Sequence, residues 1–122
     1  MPKTILVVDD NQEFLELIDL LLKNAGYDVV LADSAFKAME ILEENIPDAM
    51  ILDIMMPVRN GLEFLENLRW EPRYENVPIV VLTAMTLTDE EREFVDAFSV
   101  AYLDKGQTTK VVECLKKILP ED

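Results

Sequence analysis

The stretch Thr4-Ile5-Leu6-Val7-Val8-Asp9-Asp10 carries the strongest indication of the fold, because an apolar run leads directly into two aspartates. Ala49-Met50-Ile51-Leu52-Asp53 repeats the arrangement. Short apolar runs of this kind are typical of strands buried on both faces of a parallel sheet. Ligands of such sheets bind beyond the carboxyl ends of the strands, so both runs bring carboxylates to the predicted site. Crowded carboxylates repel one another unless protons or a cation intervene, and a hard divalent metal is therefore the first expectation.

Strand and helix patterns alternate along the whole chain, which predicts an α/β fold with a parallel sheet and right-handed crossovers. The predicted strands cover residues 3–8, 27–32, 49–52, 79–82 and 100–103. The predicted helices cover about 12–25, 35–45, 62–70, 88–99 and, from Thr108 or Thr109, up to 119. Ser34 is the expected cap of the second helix, and Thr88 with Glu91 forms a capping-box pattern at the fourth. Five such units without a linker or repeat predict one domain over residues 1–122.

Composition narrows the range of partners. Half of the 122 residues are apolar, so the chain is expected to fold around a core rather than remain disordered. It has 11 basic against 25 acidic residues and a net charge of -14. Nucleic acid and anionic membrane surfaces would repel such a chain. A basic protein partner, or a metal ion at the acidic cluster, fits the charge better.

Cysteine usage and the lack of long apolar runs point to a cytoplasmic protein. Cys114 is the one cysteine, so no internal disulfide can form, which suits a reducing compartment. No apolar run reaches the length of a bilayer, and no secretory signal pattern opens the chain. Histidine is absent, so the chain contains no histidine-based catalytic or metal site.

Four predicted strand ends bring polar or charged side chains to one edge of the sheet. The residues at these ends are Asp9 and Asp10, Asp53, Thr83 and Lys105. Mg²⁺ prefers octahedral oxygen ligation and usually takes one or two protein carboxylates with water and substrate phosphate. Asp10 and Asp53 are candidate direct ligands, with Asp9 acting directly or through water. The backbone carbonyl of Met55 is a further candidate ligand.

A carboxylate that faces both a metal and a lysine can also be a nucleophile and form an aspartyl phosphate. Asp53 is the best candidate for this role, because it stands alone after its strand. That strand is the central one of the three that end at Asp9 and Asp10, at Asp53 and at Thr83. Lys105 and Mg²⁺ would neutralise the charge of a phosphoryl group, which is what phosphoryl transfer chiefly requires. The Thr83 hydroxyl would donate a hydrogen bond to a phosphoryl oxygen.

Together these motifs make the chain resemble the receiver domains of two-component response regulators over its whole length. The resemblance rests on Ile5-Leu6-Val7-Val8-Asp9-Asp10, Asp53-Ile54-Met55-Met56-Pro57 with Gly61, Thr83-Ala84 and Tyr102-Leu103-Asp104-Lys105. It implies a CheY-like, flavodoxin-like (βα)5 fold, a doubly wound sheet of five parallel strands in the order 2-1-3-4-5.

The resemblance also implies a role for each site residue. Asp53 would be the phosphoacceptor, and Lys105 would bind the phosphate. The implied Mg²⁺ ligands are Asp9, Asp10, Asp53 and the Met55 carbonyl. Thr83 would supply the switch hydroxyl, and Tyr102 would be the rotating aromatic. The implied function is a phosphoacceptor that takes a phosphoryl group from a phosphohistidine of a sensor histidine kinase or histidine phosphotransfer protein. Such a chain is no enzyme in the usual sense, since it catalyses only its own phosphorylation and slow dephosphorylation.

The implied output is a change at the surface formed by the fourth helix, the fifth strand and the fifth helix. A downstream protein target would bind this surface, or a second copy would form a weak dimer through it. Phosphorylation would shift the population between two states of the surface that the phosphate binds unequally.

Two local features depart from the family pattern or refine it. The family usually has a cis proline after the lysine, whereas this chain has Gly106, so a trans bond and a reshaped loop are predicted.

Met55 and Met85 lie two residues beyond Asp53 and Thr83, where the family has side chains that border the path of an attacking water. Neither thioether can orient water as a carboxylate or amide does, and slow self-dephosphorylation is therefore predicted.

Other interpretations of the same residues stay open at this point. Asp9 and Asp10 alone would fit a helix cap equally well, Thr83 a turn hydroxyl, and Lys105 a solvated surface pair. An alternative function is a receiver-fold module that binds proteins without phosphorylation. A flavodoxin is disfavoured because the acidic segment after the first strand would repel the FMN phosphate. A dehalogenase-type phosphatase is disfavoured because the first strand is not followed by Asp-x-Asp.

Overall fold

The computed structural model describes residues 2–55, 61–84 and 86–119, and in them strands and helices alternate as the sequence predicts. The strands are β1 (Thr4–Val8), β2 (Asp28–Ala32), β3 (Ala49–Leu52), β4 (Ile79–Thr83) and β5 (Ala101–Asp104). The helices are α1 (Gln12–Asn24), α2 (Ala35–Glu44), α3 (Gly61–Trp70), α4 (Asp89–Phe98) and α5 (Thr109–Ile118). None of these helices combines the length and apolarity that crossing a membrane requires.

The five strands form one parallel sheet in the order β2-β1-β3-β4-β5, which confirms the predicted α/β fold and strand order. β1 lies between β2 and β3, and Val8 is paired with Leu52 at the ends of β1 and β3. The residues that follow these two strand ends, Asp9 and Asp53, are therefore neighbours. The order alone thus builds the acidic edge that the sequence predicts.

Helices cover both faces of the sheet, so alternate residues of each central strand enter different cores. Leu6 and Val8 of β1 point to the core completed by α2, α3 and α4. Ile5 and Val7 point to the core completed by α1 and α5. All residues of β3 and β4 are buried, as their uninterrupted apolar runs predict. This two-sided packing fixes the strand ends in place from both faces.

Most element ends agree with the predictions to within a residue or two. The largest difference that affects the site is at its fifth strand. The structure begins β5 at Ala101 rather than at residue 100 and extends it to Asp104, and a 3-10 turn over Lys105–Gln107 replaces the expected loop. The described residues contain no cis peptide bond, so the predicted trans bond before Gly106 is confirmed. Gly26 follows the C-cap residue of α1, Ala25, and its φ of 96° is easily adopted only without a side chain.

Candidate functional site at the carboxyl edge of the sheet

Three carboxylates from the ends of β1 and β3 lie together at the carboxyl edge of the sheet. Oxygens of Asp9, Asp10 and Asp53 are all within 4.8 Å of one another. Asp9 and Asp53 are buried, with 1% and 3% of their surface exposed, whereas Asp10 is exposed. Backbone bonds of the sheet position the buried pair, since the Asp53 amide donates to the Val8 carbonyl at 2.9 Å. The predicted acidic cluster is thus formed by the fold itself.

Each buried carboxylate is fixed by a local turn that uses only one of its two oxygens. Asp9 Oδ1 accepts from the Asn11 amide and Asp53 Oδ1 accepts from the Met55 amide, both at 2.9 Å. Asn11 is also the N-cap of α1, because its side chain accepts from the Phe14 amide at 3.0 Å. The reading of the two aspartates as the cap of this helix is therefore wrong. In the described part of the chain, Asp9 Oδ2 accepts no backbone hydrogen bond.

The side chain of Lys105 bridges the two buried carboxylates. Its Nζ lies 2.7 Å from Asp9 Oδ2 and 3.0 Å from Asp53 Oδ2. The same ammonium sits 4.4 Å from the centroid of the Phe14 ring, a cation–π contact that helps to hold it above α1. The reading of this lysine as a solvated surface pair with Asp104 is thus wrong. Asp104 instead caps the 3-10 turn by accepting from the Gly106 amide at 2.7 Å.

Burial and charge act in opposite directions on the pKa values of this group. Burial raises the pKa of Asp9, and this effect outweighs the contacts to Lys105 and to the Asn11 amide, which lower it. Burial lowers the pKa of Lys105, but its contacts to Asp9 and Asp53 outweigh burial and the net pKa is raised. The lysine is therefore held charged, while the Asp9 carboxylate is not fully compensated.

The donor set fits a hard divalent cation. Asp9 Oδ2 is fully buried and accepts no hydrogen bond of good geometry, although Lys105 Nζ lies beside it. Among the described residues, one ammonium, that of Lys105, faces the three carboxylates, so negative charges outnumber positive ones there. Oxygen donors at this spacing, two of them on buried carboxylates, are suited to Mg²⁺. The Met55 carbonyl belongs to the same turn as the Asp53 carboxylate, because the amide of Met55 donates to that carboxylate.

Thr83 and Tyr102 lie on the neighbouring strands of the same edge. Thr83 is the last residue of β4, is fully buried and pairs with Asp104 in the sheet register, directly before the lysine. Tyr102 is half-buried, and its ring packs on the core beneath α4. The guanidinium of Arg92 lies 4.4 Å from the centroid of this ring. Sequence reasoning missed Arg92, because only the turn of α4 in three dimensions brings it over β5.

The backbones of Ile54, directly after Asp53, and Gly61 approach each other closely. The Gly61 amide donates to the Ile54 carbonyl at 3.1 Å, and a Cβ on Gly61 would overlap the Ile54 backbone. This explains why the motif needs glycine at that position. Met55 is 55% exposed at the edge of the site. The other predicted members of this region, Met56, Pro57 and Met85, lie outside the described residues.

Comparisons with known proteins agree with this site and fold. The family model of the response regulator receiver domain matches residues 5–116. Response regulator MprA of Mycobacterium sp. (strain KMS) is 40% identical over 105 residues, which are 86% of this chain and 45% of MprA. This chain thus spans less than half the length of that relative. The polar-differentiation response regulator DivK of Brucella anthropi is 26% identical over 98% of both chains.

Among solved structures, the Vibrio cholerae chemotaxis protein CheY4 superposes with a TM-score of 0.88. It is 27% identical, and the match covers 98% of this chain and 100% of CheY4. The similarity extends over the whole sheet and all its helices, so the order of elements that builds the carboxyl edge is shared.

Proposed function

This chain belongs to the response regulator receiver domain family, and we propose that it is the phosphoacceptor of a two-component or phosphorelay system. The observation that carries the proposal is the Lys105 ammonium, which lies 3.0 Å from Asp53 Oδ2 and 2.7 Å from Asp9 Oδ2. A buried carboxylate next to a fixed cation is what transfer of a phosphoryl group to an aspartate requires. The single receiver domain over residues 1–122 remains a prediction.

Asp53 is the proposed nucleophile because of its place in the sheet. β3 lies between β1 and β4, so Asp53 has the other two carboxylates on one side and Thr83 on the other. Its Oδ1 is engaged by the Met55 amide, which leaves Oδ2 as the reacting oxygen. The neighbouring Asp9 lies at the junction with the edge of β2, where its amide donates to the Ala32 carbonyl at 3.1 Å.

The proposed reaction is a phosphoryl transfer from nitrogen to oxygen. Asp53 Oδ2 forms a bond to phosphorus while the bond from phosphorus to an imidazole nitrogen of the donor breaks, and that nitrogen keeps the electron pair. Lys105 would hold a phosphoryl oxygen through its ammonium, and Thr83 would donate its hydroxyl to another. Since this sequence contains no histidine, the proposed donor phosphohistidine lies outside it, in a sensor histidine kinase or a histidine phosphotransfer protein.

Mg²⁺ is the proposed cofactor, and Asp9, Asp10, Asp53 and the Met55 carbonyl are its proposed ligands. When bound, the ion supplies positive charge that offsets the phosphoryl oxygens. Among the described residues, the excess of carboxylates over ammonium groups supports this assignment.

Receiver domains are signalling modules, and the proposed output is a shift between two conformations. A phosphoryl group on Asp53 would draw the Thr83 hydroxyl toward it and free space into which Tyr102 moves. The surface of α4, β5 and α5 would change and bind a downstream protein or a second copy in a weak dimer. The proposed compartment is the cytoplasm, for which the single cysteine is the argument.

Labelling with acetyl phosphate tests the phosphoacceptor proposal. Incubation with acetyl phosphate and Mg²⁺ is expected to add one acid-stable, hydroxylamine-labile phosphate, which intact-mass measurement detects. Asp53→Asn is expected to abolish it, and EDTA is expected to prevent it. Asp33→Asn is the matched control, because Asp33 follows β2 at the same sheet edge but lies outside the acidic cluster.

Two outcomes would contradict the proposal. If the native chain gains no phosphate, or if Asp53→Asn is labelled as fully as Asp33→Asn, Asp53 is not the phosphoacceptor. Absence of label in a folded chain would favour the alternative function, a receiver-fold module that binds proteins without phosphorylation.

A further inference from the structure

A second concave surface lies between α3 and α4, on the helical layer rather than at the sheet edge. It is a cavity of about 300 Å³ lined by Leu62, Glu63, Glu66, Glu90, Glu91 and Phe94, which together form the α3–α4 groove. Leu62 and Phe94 form its apolar floor and are half-buried, and the four glutamates form its rims. The groove is outside the acidic cluster described above and shares no residue with it.

Aromatic side chains continue the apolar floor along the two helices. Phe94 packs against Phe98 with ring centroids 4.8 Å apart, and Phe98 meets the edge of Trp70 at 6.4 Å. Trp70, the only tryptophan of the chain, is 71% exposed. A tryptophan exposed at the end of an apolar floor is typical of binding surfaces, because its ring supplies large contact area with few rotatable bonds.

The negative charge of the groove is not neutralised within the part of the chain that the structure describes. None of the ion pairs found there involves Glu63, Glu66, Glu90 or Glu91. Favourable interaction with a helix N-terminus explains the glutamates in the first turns. It does not explain Glu66, which lies in the second turn of α3 and accepts from the Trp70 indole at 3.4 Å.

The two arginines of α3 and α4 are engaged elsewhere. Arg69 Nε donates to the Phe98 carbonyl at 2.7 Å, and a second nitrogen of its guanidinium donates to the loop after α3. Arg92 pairs with Asp96 at 3.1 Å and lies over Tyr102 on the β5 side of α4. Within the part of the chain that the structure describes, neither guanidinium compensates the glutamates, and the groove is therefore suited to cationic side chains of a partner.

We propose that the α3–α4 groove docks a basic amphipathic helix of a partner protein. One or two apolar side chains of that helix would fill the floor over Leu62 and Phe94, and arginines or lysines on its flanks would reach the four glutamates. A guanidinium would also stack on the exposed face of Trp70. Helix-in-groove binding of this kind uses apolar anchors at helical spacing, and charge complementarity selects the partner. Nucleic acid is excluded by the sign of the charge.

The position of the groove connects it to the carboxyl edge of the sheet. α3 follows the loop that leaves Asp53, and α4 follows the segment that leaves Thr83. The groove lies on the first two turns of both helices, next to these connections. A partner helix seated there contacts the elements that carry the site residues, and its binding does not require phosphorylation of Asp53.

Trp70 provides a direct readout, because no other tryptophan contributes to the fluorescence of the chain. The probe is a synthetic helical peptide without tryptophan or tyrosine that carries leucines on one face and arginines on both flanks. Its saturable binding to the full chain is expected to change the Trp70 emission. A scrambled peptide of the same composition and a charge-reversed peptide with glutamates in place of arginines are expected to have no such effect.

Charge reversal on the protein localises the binding. Glu66→Lys with Glu90→Lys is expected to raise the dissociation constant about tenfold, since both rims then repel the arginines. Glu40→Lys with Glu43→Lys is the matched control, because both residues are exposed on α2 and the net charge changes equally. This control is expected to change the constant less than about twofold, because salt largely screens exposed charges that lie farther apart than the Debye length. Circular dichroism verifies that both variants fold.

Three results would overturn the proposal. The first is equal weakening of binding by the two charge reversals, which would indicate attraction to net charge alone. The second is equal binding of the scrambled peptide. The third is a saturable complex that forms without a change in Trp70 emission. If the Trp70 emission instead depends on protein concentration or on Mg²⁺, and the peptide does not change that dependence, the groove binds a second copy or a cation.

Discussion

The guanidinium of Arg92 lies 4.4 Å from the centroid of the Tyr102 ring, so one side chain of α4 covers the aromatic residue of β5. Arg92 is held in this position by Asp96, one turn further along α4, at 3.1 Å. Tyr102 in turn pairs with Val81 of β4 in the sheet register. Any movement of this ring therefore requires that the arginine shift or release it.

Arg92→Gln is expected to loosen Tyr102 before any phosphorylation. The cation–π contact contributes about 0.5–1 kcal/mol at an exposed site, so its loss shifts the ring toward other rotamers. With fluorotyrosine incorporated, the ¹⁹F resonance of Tyr102, assigned through Tyr102→Phe, should move in the variant. Arg73→Gln is the matched control, because Arg73 lies 5.0 Å from the Tyr74 ring. An unmoved Tyr102 resonance in Arg92→Gln would show that the arginine does not position the ring.

The sequence predicts the sheet and the acidic edge well because both follow from backbone rules. Apolar runs that lead into Asp9 and Asp53 determine which strands are buried, and parallel strand order then brings their ends together. Lys105 reaches the carboxylates even though Gly106 replaces the usual proline. The sequence does not predict the contact of Arg92 with Tyr102, or of Phe14 with Lys105. Those contacts depend on how each helix is rotated against the sheet, which apolar periodicity fixes only coarsely.

Asp9→Asn is expected to stabilise the metal-free protein. Burial raises the pKa of Asp9 despite its contact with Lys105, so the ionised form is disfavoured in the fold. An amide keeps the acceptor for the Asn11 amide and removes the buried charge, so the unfolding free energy is expected to rise. Urea denaturation in EDTA measures it. Mg²⁺ should stabilise the native chain more than the variant, and a less stable variant in EDTA would contradict the argument.

The same carboxyl predicts a pH dependence with a definite sign. Since the folded pKa of Asp9 is raised above its ordinary value of 3.8, the folded state binds this proton more tightly than the unfolded chain. The resulting stability is fully present below 3.8 and is lost as pH rises through the folded pKa. The stability difference between Asp9→Asn and the native chain in EDTA should therefore grow over that interval and then level off. A difference that does not vary with pH would exclude this linkage.

Gly61→Ala is expected to be strongly destabilising. Its new methyl group would overlap the Ile54 backbone, which cannot move aside as a flexible side chain does. Overpacking of this kind costs about 1–3 kcal/mol, and displacement of Ile54 should also slow labelling of the adjacent Asp53. Gly106→Ala is the control, because its methyl would lie 3.1 Å from a side-chain oxygen of Asp104. Thermal unfolding compares the two, and equal melting temperatures would show that the loop yields.

Met55→Glu is expected to shorten the lifetime of the proposed phosphoryl form. Met55 is 55% exposed at the edge of the site, and its amide donates to Asp53 Oδ1. A thioether cannot orient an attacking water, whereas a carboxylate at the same position can act as a general base, so loss of phosphate should accelerate about tenfold or more. Met55→Leu keeps the size without a polar group and should retain the slow decay. The decay of the label after removal of acetyl phosphate gives both rates, and equal rates in the two variants would mean that Met55 does not limit water attack.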